Sequence, residues 1–462
     1  MMTDGWTIVL DVGKTSSKVT LWDERGVCMR QRSRPNQSHT VGEYQALDVA
    51  GIEVWLKAVL GQFSTLGPIE AIVPVAHGAG AALIRSGRLQ CAPIDYEWPG
   101  VARDRAPYQA ECDPFVLTGS PALPAGLNLG MQLHWLDSLH SETLSSAQIL
   151  PLAQYWAWVL CGVVAAEVTS LGCHTDLWRP FDRAPSELAK RRGWAERLAP
   201  ITPANTVLGT LTWEWAMHTG LSPAVKIYCG LHDSNAALLG ARNHPEIEGH
   251  DATVLSTGTW FIAMRTPLQD RASEAVLPEN RDCLLNVDVS GAPIPSSRFM
   301  GGREMEMLIG PDSQSDAQSP EVLEQALRAV ESGAMILPTS VPGVGPFPNA
   351  NLRWVGARQG DEDAIARAHL YAALVADASL DLIGSGDTLA IDGRFSSAPV
   401  FVQALARLRP STRVFVSRDE HGVARGALRL VNGMTSDTAL ERVSPLRVDL
   451  TEYRSRWREE AE

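Results

Sequence analysis

A short polar stretch near the start of the chain carries residue types that suit a polyphosphate. Residues 13–18 supply backbone N–H groups, three hydroxyls and two ammonium groups. Just before them, Asp11 supplies a carboxylate, and Mg²⁺ needs only one or two carboxylates because it keeps most of its waters. An ordinary polar turn explains the same residues, so both interpretations stay open. The contacts expected of a phosphate site are a metal contact from Asp11 and phosphate contacts from Gly13, Lys14, Thr15, Ser16 and Lys18.

The residue pattern around this stretch predicts the elements that hold it. Residues 7–12 and 18–23 have the apolar patterning of strands, which indicates a β-hairpin with its turn at 13–17. A helix is expected over 47–63, followed by a strand over 69–76 that ends at His77. Strands and helices go on alternating in both halves of the chain, and a second strand-turn-strand lies at 252–264. The fold class is therefore α/β.

Length and charge limit the organisation and the partners. At 462 residues the chain exceeds what one core usually supports, and a polar stretch over 243–250 favours two domains, 1–245 and 246–462. The 40 basic and 53 acidic residues give a net charge of −13, which excludes a basic footprint for nucleic acid or an anionic membrane. The nearly uncharged stretch 150–167, which ends in Glu167, is interpreted as a buried helix and not as a membrane span.

The cysteines and the N-terminal residues indicate the compartment. Seven scattered cysteines without a C-x-x-C pair give no zinc site and no disulfide framework, which favours a reducing environment. The first residues show no basic region followed by an apolar core, so we expect no export signal. The expected location is the cytoplasm.

Several motifs, in order along residues 8–431, resemble the FGGY carbohydrate kinases of the actin-like ATPase superfamily, in particular kinases of xylulose, rhamnulose and fuculose. Residues 11–18 fit the family's first phosphate motif, D-x-G-x-T-S-x-[RK], and 256–260 (STGTW) resemble its second. Residues 230–233 (GLHD) resemble the motif that carries the family's catalytic aspartate. Residues 391–406 resemble its adenosine motif.

This resemblance implies two actin-like (ribonuclease-H-like) domains with a nucleotide cleft between them, the first binding sugar and the second nucleotide. The implied reaction transfers the γ-phosphoryl group of ATP, with Mg²⁺, to a terminal hydroxyl of a ketose. The expected sugar is a deoxy-ketohexose such as L-fuculose or L-rhamnulose, or a ketopentose such as xylulose or ribulose. The alternative is an actin-like nucleotide-binding regulator without sugar kinase activity. A small-molecule sugar is the expected partner, and homodimers are common among such kinases.

The resemblance also assigns the site residues. Asp233 matches the base that takes the proton of the attacking hydroxyl; an Asp at a helix start is more often an N-cap, but the surrounding motif favours catalysis. His232 faces either the substrate or the core. The expected sugar contacts are His77, Gly78, Asp95, His232 and Asp233. The expected nucleotide contacts in the second half are Thr257, Gly258, Thr259, Gly301, Gly302, Gly393 and Ser396.

Two departures from the family pattern leave questions open. Asp392 replaces the first glycine of the family's glycine pair, and the bulky Arg394 follows, so the nucleotide preference is not settled by the resemblance. Lys14 stands where many members carry a small or hydroxyl residue. Its ammonium is expected either to strengthen phosphate binding or to meet a group of the substrate.

Overall fold

The computed structural model describes residues 5–268, 276–310, 319–356, 360–433 and 439–461. Side chains are described for all of these residues except 140–144. The strands over these residues are β1 Trp6–Val12, β2 Ser16–Trp22, β3 Cys28–Pro35, β4 Ser38–Val41, β5 Tyr44–Leu47, β6 Ile69–Ala76, β7 Ala81–Arg85, β8 Arg88–Leu89, β9 Gln148–Pro151, β10 Trp178–Arg179, β11 Ala184–Pro185, β12 Val207–Thr210, β13 Lys226–Tyr228, β14 Leu231–His232, β15 Ala252–Thr257, β16 Phe261–Thr266, β17 Cys283–Val287, β18 Pro293–Phe299, β19 Met335–Leu337, β20 Arg353–Val355, β21 Thr388–Gly393, β22 Arg413–Val416 and β23 Glu441–Arg442.

The α-helices over the same residues are α1 Val49–Phe63, α2 Arg105–Gln109, α3 Phe115–Thr118, α4 Leu129–Leu144, α5 Leu152–Cys161, α6 Val168–Leu171, α7 Glu187–Arg191, α8 Trp213–Thr219, α9 Asp233–Ala241, α10 Gly301–Ile309, α11 Pro320–Ser332, α12 Ala364–Leu382, α13 Pro399–Leu408, α14 Gly422–Asn432 and α15 Thr451–Ala461.

The chain forms two compact units. Unit 1 comprises Met1–Gly240, Leu285–Pro293 and His421–Ser436, and unit 2 comprises Ala241–Leu284, Ile294–Glu420 and Asp437–Glu462. The chain thus first changes unit close to the boundary expected at 245. The two later segments of unit 1 lie within 246–462, the range that the sequence predicts as the second domain.

Unit 1 is built on a mixed sheet with the strand order β12-β13-β6-β1-β2-β3, and β14 also pairs with β6. The hairpin β1–β2 is antiparallel, whereas β6 runs parallel to β1, β13 and β14. β13 and β14 pair with successive parts of the same strand, because residues 229–230 interrupt them. Three of these parallel strands, β1, β6 and β14, therefore end at one edge of the sheet.

Both faces of this sheet are covered, as the alternation along β1 requires. Ile8 and Leu10 belong to a core cluster that includes apolar residues of α1, α5 and α8. Val9, on the opposite face, belongs to a cluster with Ala427 and Leu428 of α14. Each fully buried aliphatic side chain of this kind contributes about 1.5–3 kcal/mol relative to exposure.

α9 and α14 cross at two glycines in unit 1. A Cβ atom on Gly240 would lie 2.5 Å from the carbonyl oxygen of Gly422, and one on Gly426 would lie 1.8 Å from the carbonyl oxygen of Ala236. Only glycines allow the two helix backbones to approach this closely. Since α9 begins at Asp233, this crossing fixes the helix that carries the predicted base.

Unit 2 repeats the scheme with the strand order β18-β16-β15-β21-β22-β23. The hairpin β15–β16 is antiparallel, and β15, β21 and β22 are parallel neighbours. α12 is buried along most of its length, and its Asp377 receives ion pairs from Arg409, Arg454 and Arg458. The α/β class with two similar halves is confirmed.

The element predictions agree with the structure at most places and fail at one. The strand expected over 69–76 is β6, and the hairpins expected near 13 and 258 are β1–β2 and β15–β16. The buried helix expected over 150–167 is shorter, because Gly162 adopts a left-handed conformation and caps α5 after Cys161. Within the described residues, no helix has the length and apolar character needed to cross a membrane. All seven cysteines are free thiols.

Candidate active site

Three candidate residues of unit 1 meet at the carboxyl ends of neighbouring parallel strands. Val12 of β1 pairs with Ala76 of β6, and Ala76 pairs on its other side with His232 of β14. Asp11, His77 and Asp233 lie within one residue of these pairs, so the sheet register brings them together from distant parts of the sequence. Carboxyl ends of strands are where α/β proteins commonly bind ligands.

The turn between β1 and β2 is fixed by its own backbone and by one side chain. The N–H of Gly13 donates to the carbonyl of Ser16 at 3.0 Å. Asn36 donates its side-chain amide to the Gly13 carbonyl at 2.7 Å and its backbone N–H to the Thr15 carbonyl at 2.8 Å. It also accepts from the Ser17 hydroxyl at 2.8 Å. Thr15 and Ser16 remain exposed.

The Asp11 carboxylate is buried and lies near a second carboxylate, and both conditions disfavour its negative charge. Burial and the nearby carboxylate of Asp233 raise the pKa of Asp11 to about 7, and Lys18, its partner across the hairpin, opposes this shift. A divalent cation would relieve the repulsion between the two carboxylates, so the donor chemistry fits Mg²⁺. Among the described residues no group of three or more His, Cys, Asp or Glu could hold a metal ion. Mg²⁺ does not require such a group when phosphate oxygens and waters complete its shell.

His77 is a buried histidine with an unused nitrogen. Burial lowers the pKa of His77 to about 4, so the ring is neutral at pH 7. Its ring packs edge-on against Tyr96, with the ring centroids 5.3 Å apart. Within the described part of the chain its Nδ1 has no hydrogen-bond partner. A buried polar atom without a partner is costly, and a ligand hydroxyl would satisfy this one. Next to it, the Gly78 carbonyl accepts from the Cys173 thiol at 3.8 Å.

The His232 ring lies close to the Asp233 carboxylate. Burial lowers the pKa of His232, so the imidazole is neutral at pH 7. Its Nδ1 lies 3.1 Å from the side-chain amide of Asn235, which leaves the proton on Nε2, 3.2 Å from Asp233 Oδ1. The expected contact of His232 with the sugar stays a prediction. Asp233 Oδ1 also accepts from the Ser234 N–H at 2.5 Å, and its side chain is 28% exposed.

Behind this pair lies a buried carboxylate that the sequence did not single out. The Thr169 hydroxyl donates to Glu167 Oε2 at 2.5 Å and accepts from the backbone N–H of His232 at 3.1 Å. Glu167 also caps α6, accepting from the Thr169 N–H at 3.0 Å. Its other oxygen has no partner among the described residues. Glu167 was recognised only as the end of an apolar stretch, and neither it nor Asn36 lies in a motif that would have identified it.

Lys14 does not stand free in the phosphate turn. Its ammonium lies 2.6 Å and 2.7 Å from the two carboxylate oxygens of Asp95 and 3.4 Å from Glu97. Burial disfavours the charge on Asp95, but hydrogen bonds from Lys14 and Ser38 outweigh it and hold the pKa of Asp95 below its ordinary value. A residue expected to bind phosphate is therefore paired with one expected to bind sugar.

The turn of unit 2 resembles that of unit 1, but its first threonine faces inward. Thr257 is 1% exposed, and its hydroxyl donates to the Asp392 carbonyl at 2.6 Å and accepts from the Phe395 N–H at 3.0 Å. This hydroxyl ties β15 to β21, and the expected phosphate contact of Thr257 stays a prediction. Gly258 and the exposed Thr259 form the open part of the turn.

The remaining candidates of unit 2 surround this turn. Gly301 and Gly302 open α10, and a Cβ on Gly302 would lie 2.1 Å from the Gly258 carbonyl oxygen, so the helix start abuts the turn. Gly393 ends β21 and precedes a 3₁₀ turn. In that turn the buried Ser396 donates its hydroxyl to the Ser417 carbonyl at 3.1 Å, which gives it a structural partner.

The Asp392 carboxylate lies beside the same turn. Its Oδ1 accepts from the Gly393 N–H at 2.7 Å. Burial raises the pKa of Asp392 to about 6.

Comparisons with known proteins identify the family. A family model described as the C-terminal domain of carbohydrate kinase FGGY matches residues 249–439. The crystal structure of a carbohydrate kinase from Novosphingobium aromaticivorans is 49% identical, with 98% of this chain and 100% of that chain covered and a TM-score of 0.92.

Two more distant structures agree in fold alone. A ligand-bound xylulose kinase from Lactobacillus acidophilus is 16% identical, with 99% of this chain and 96% of that chain covered and a TM-score of 0.77. The glycerol kinase of Plasmodium falciparum, solved with ADP, is 15% identical, with 98% and 96% covered and a TM-score of 0.77. With nearly half of its residues identical to a carbohydrate kinase over almost its whole length, the chain belongs to the FGGY family of carbohydrate kinases and is a phosphotransferase.

Proposed function

We propose that the protein transfers the γ-phosphoryl group of ATP to a terminal hydroxyl of a ketose. Unit 1 would bind the sugar and unit 2 the nucleotide. The proposed acceptors are a deoxy-ketohexose such as L-fuculose or L-rhamnulose, or a ketopentose such as xylulose or ribulose. The single observation that carries the proposal is the convergence of Asp11, His77 and Asp233 at one sheet edge, beside a turn that offers N–H groups and hydroxyls.

In the proposed reaction, Asp233 accepts the proton of the attacking hydroxyl. The oxygen of that hydroxyl forms a bond to the γ-phosphorus as the bond between phosphorus and ADP breaks, so the proton ends on Asp233 and the phosphoryl group on the sugar. The Asp233 carboxylate is partly exposed, and its Oδ1 lies 3.2 Å from His232 Nε2, which supports this role. His77 would bond a second hydroxyl through its unused Nδ1.

The phosphates of the nucleotide would need hydrogen-bond donors and a cation. Mg²⁺ would neutralise phosphate charge, and Asp11 would hold it through its hydration shell. The exposed hydroxyls of Thr15 and Ser16 and the open backbone of Gly258 and Thr259 are the proposed phosphate contacts. The start of α10 at Gly301 and Gly302 supports them, because the N-terminus of a helix favours an anion.

The test is a coupled assay of ADP release with ATP and Mg²⁺ against a panel of ketoses, aldoses and polyols. We expect one neutral ketose to stimulate turnover above basal hydrolysis. Asp233→Asn should lower kcat by about 100-fold or more, because a general base contributes roughly 10²–10⁴-fold, and it should leave ATP binding in place. Asp23→Asn, an exchange of the same type in the turn after β2, is the matched control. ATP binding without stimulation by any sugar would favour the regulator instead.

A further inference from the structure

We propose that the ion pair between Lys14 and Asp95 is a specificity element of the sugar site that binds two adjacent hydroxyls of a neutral acceptor and disfavours sugar acids. The inference rests on the proposed function, which it refines by naming the charge class of the substrate. It also assigns Lys14 to the acceptor, although the residue lies in the phosphate turn.

The Lys14 ammonium lies close to residues of the proposed sugar site. Its ammonium is 5.5 Å from the centre of the Tyr96 ring, and that ring packs against His77. The side chains of Lys14 and Asp95 are only 15% and 9% exposed. The pair thus lies next to the buried histidine whose Nδ1 lacks a partner within the described residues.

The pair has the hydrogen-bonding capacity that a diol requires. An ammonium carries three donors, and a carboxylate has about four acceptor positions. Asp95 accepts from Lys14, from the Ser38 hydroxyl and from the Glu97 N–H, the last at 3.0 Å. One sugar hydroxyl can therefore accept from Lys14 while its neighbour donates to Asp95. Charge-assisted hydrogen bonds of this kind are roughly twice as strong as neutral ones.

The charges around the pair explain the preference for a neutral acceptor. Lys14 faces both Asp95 and Glu97, and Lys18 faces Asp11 across the hairpin. The Lys14 ammonium is thus already neutralised by carboxylates. The carboxylate of a sugar acid would bring another negative charge to this region, and close like charges repel in a partly buried site.

The experiment compares acceptors in the wild type, Lys14→Met and Asp95→Asn. KM and kcat are measured for the neutral ketoses D-xylulose and L-fuculose and for D-gluconate, with KM for ATP alongside, and calorimetry measures binding of the same compounds without turnover. Lys14→Met should raise KM for the ketose about tenfold, which corresponds to the loss of a hydrogen bond to a charged group, with KM for ATP unchanged. Asp95→Asn should raise the ratio of kcat/KM for D-gluconate over ketose by about tenfold, because it frees the ammonium.

Lys57→Met is the matched control. The Lys57 ammonium also lies between two carboxylates, those of Glu53 and Glu214, and over a ring, that of Trp215. Its loss removes the same chemistry from another part of unit 1, so no acceptor parameter should change. Thermal unfolding of all three variants separates a folding defect from a change in recognition.

Each outcome has a definite meaning. Ketose parameters that do not change in Lys14→Met, or a rise in KM for ATP alone, overturn the inference while the kinase function stands. A wild type that binds ketoses through Lys14 but does not turn them over overturns the proposed reaction and keeps the inference. A wild type that neither binds nor phosphorylates any neutral sugar overturns both.

Discussion

His232, the neighbour of Asp233, is tied to a fully buried carboxylate. Its Nε2 lies 3.2 Å from Asp233 Oδ1, its backbone N–H donates to the Thr169 hydroxyl, and that hydroxyl donates to Glu167. Burial raises the pKa of Glu167 to about 7, with hydrogen bonds from Thr169 opposing the shift. The strand that precedes the base is thus anchored by a group that titrates near neutrality.

This titration predicts how stability depends on pH. A carboxyl whose pKa is higher in the folded protein than the ordinary 4.5 binds its proton more tightly when folded, so the free energy of unfolding falls as pH rises from about 4.5 to 7. Glu167→Gln keeps an acceptor for Thr169 but removes the titration. Relative to wild type, the variant should gain on the order of 3 kcal/mol between pH 4 and pH 8. Urea unfolding at four pH values measures the difference.

Glu43→Gln makes the same exchange at an exposed position and is the matched control for the chemistry of the substitution. A difference from wild type that is constant with pH for Glu167→Gln would show that the Glu167 carboxyl does not titrate in this window. The prediction would then be wrong.

At the scale of single residues, the sequence predicted functional groups but not the residues that contact them. Asp11 and Asp233 were identified because each lies in a motif with a known chemical role. The partner of Lys14 is 81 positions away, and no local pattern links the two. His232 was undecided because its ring could be assigned only once the positions of Asn235 and Asp233 were known.

At the scale of elements, the position of α9 depends on its crossing with α14. The two helices touch through backbone at Gly426 and Ala236, and α9 carries Asp233 at its first position. No local pattern in the sequence indicates that the glycines of α14 meet α9. Boundaries of regular elements were predictable from apolar periodicity, whereas contacts between elements far apart in sequence were not.

Gly426→Ala tests this crossing. The new Cβ would lie 1.8 Å from a carbonyl oxygen, so the helices must separate. We expect a loss of about 1–3 kcal/mol of stability, typical of overpacking, together with a lower kcat because Asp233 moves. Denaturant unfolding and the ADP assay measure the two effects.

Gly61→Ala makes the same exchange in α1, where the nearest atom to the new Cβ is the Thr219 carbonyl oxygen at 3.8 Å. It should be neutral, or stabilising by up to about 1 kcal/mol. Equal behaviour of the two variants would contradict the proposed role of the crossing.

At the scale of the whole molecule, unit 1 is not continuous in sequence. Its sheet is covered on one face by α14, where Ala427 and Leu428 join a cluster with Val9 and Trp22. The Arg425 guanidinium also lies over the Trp22 ring, 5.4 Å from its centre. A division into 1–245 and 246–462 separates the sheet from this cover.

A fragment of residues 1–245 should therefore expose apolar surface, bind a hydrophobic dye and unfold without a cooperative transition. The same fragment with residues 421–436 joined through a flexible linker should unfold cooperatively, and a scrambled version of the added segment should not. Dye fluorescence and urea unfolding of the three proteins decide the question. Cooperative unfolding of the short fragment alone would contradict the expected dependence on α14.

The same discontinuity affects how the protein is made. The ribosome completes the strands of the first sheet with β14, at His232, but α14 ends only at Asn432, 200 residues later. At a synthesis rate of roughly 5–20 residues per second, one face of the sheet stays exposed for about 10–40 s before α14 is available to cover it. During that interval the nascent chain exposes apolar surface of the kind that chaperones bind, and the unit that carries the predicted base becomes complete only once α14 has been made.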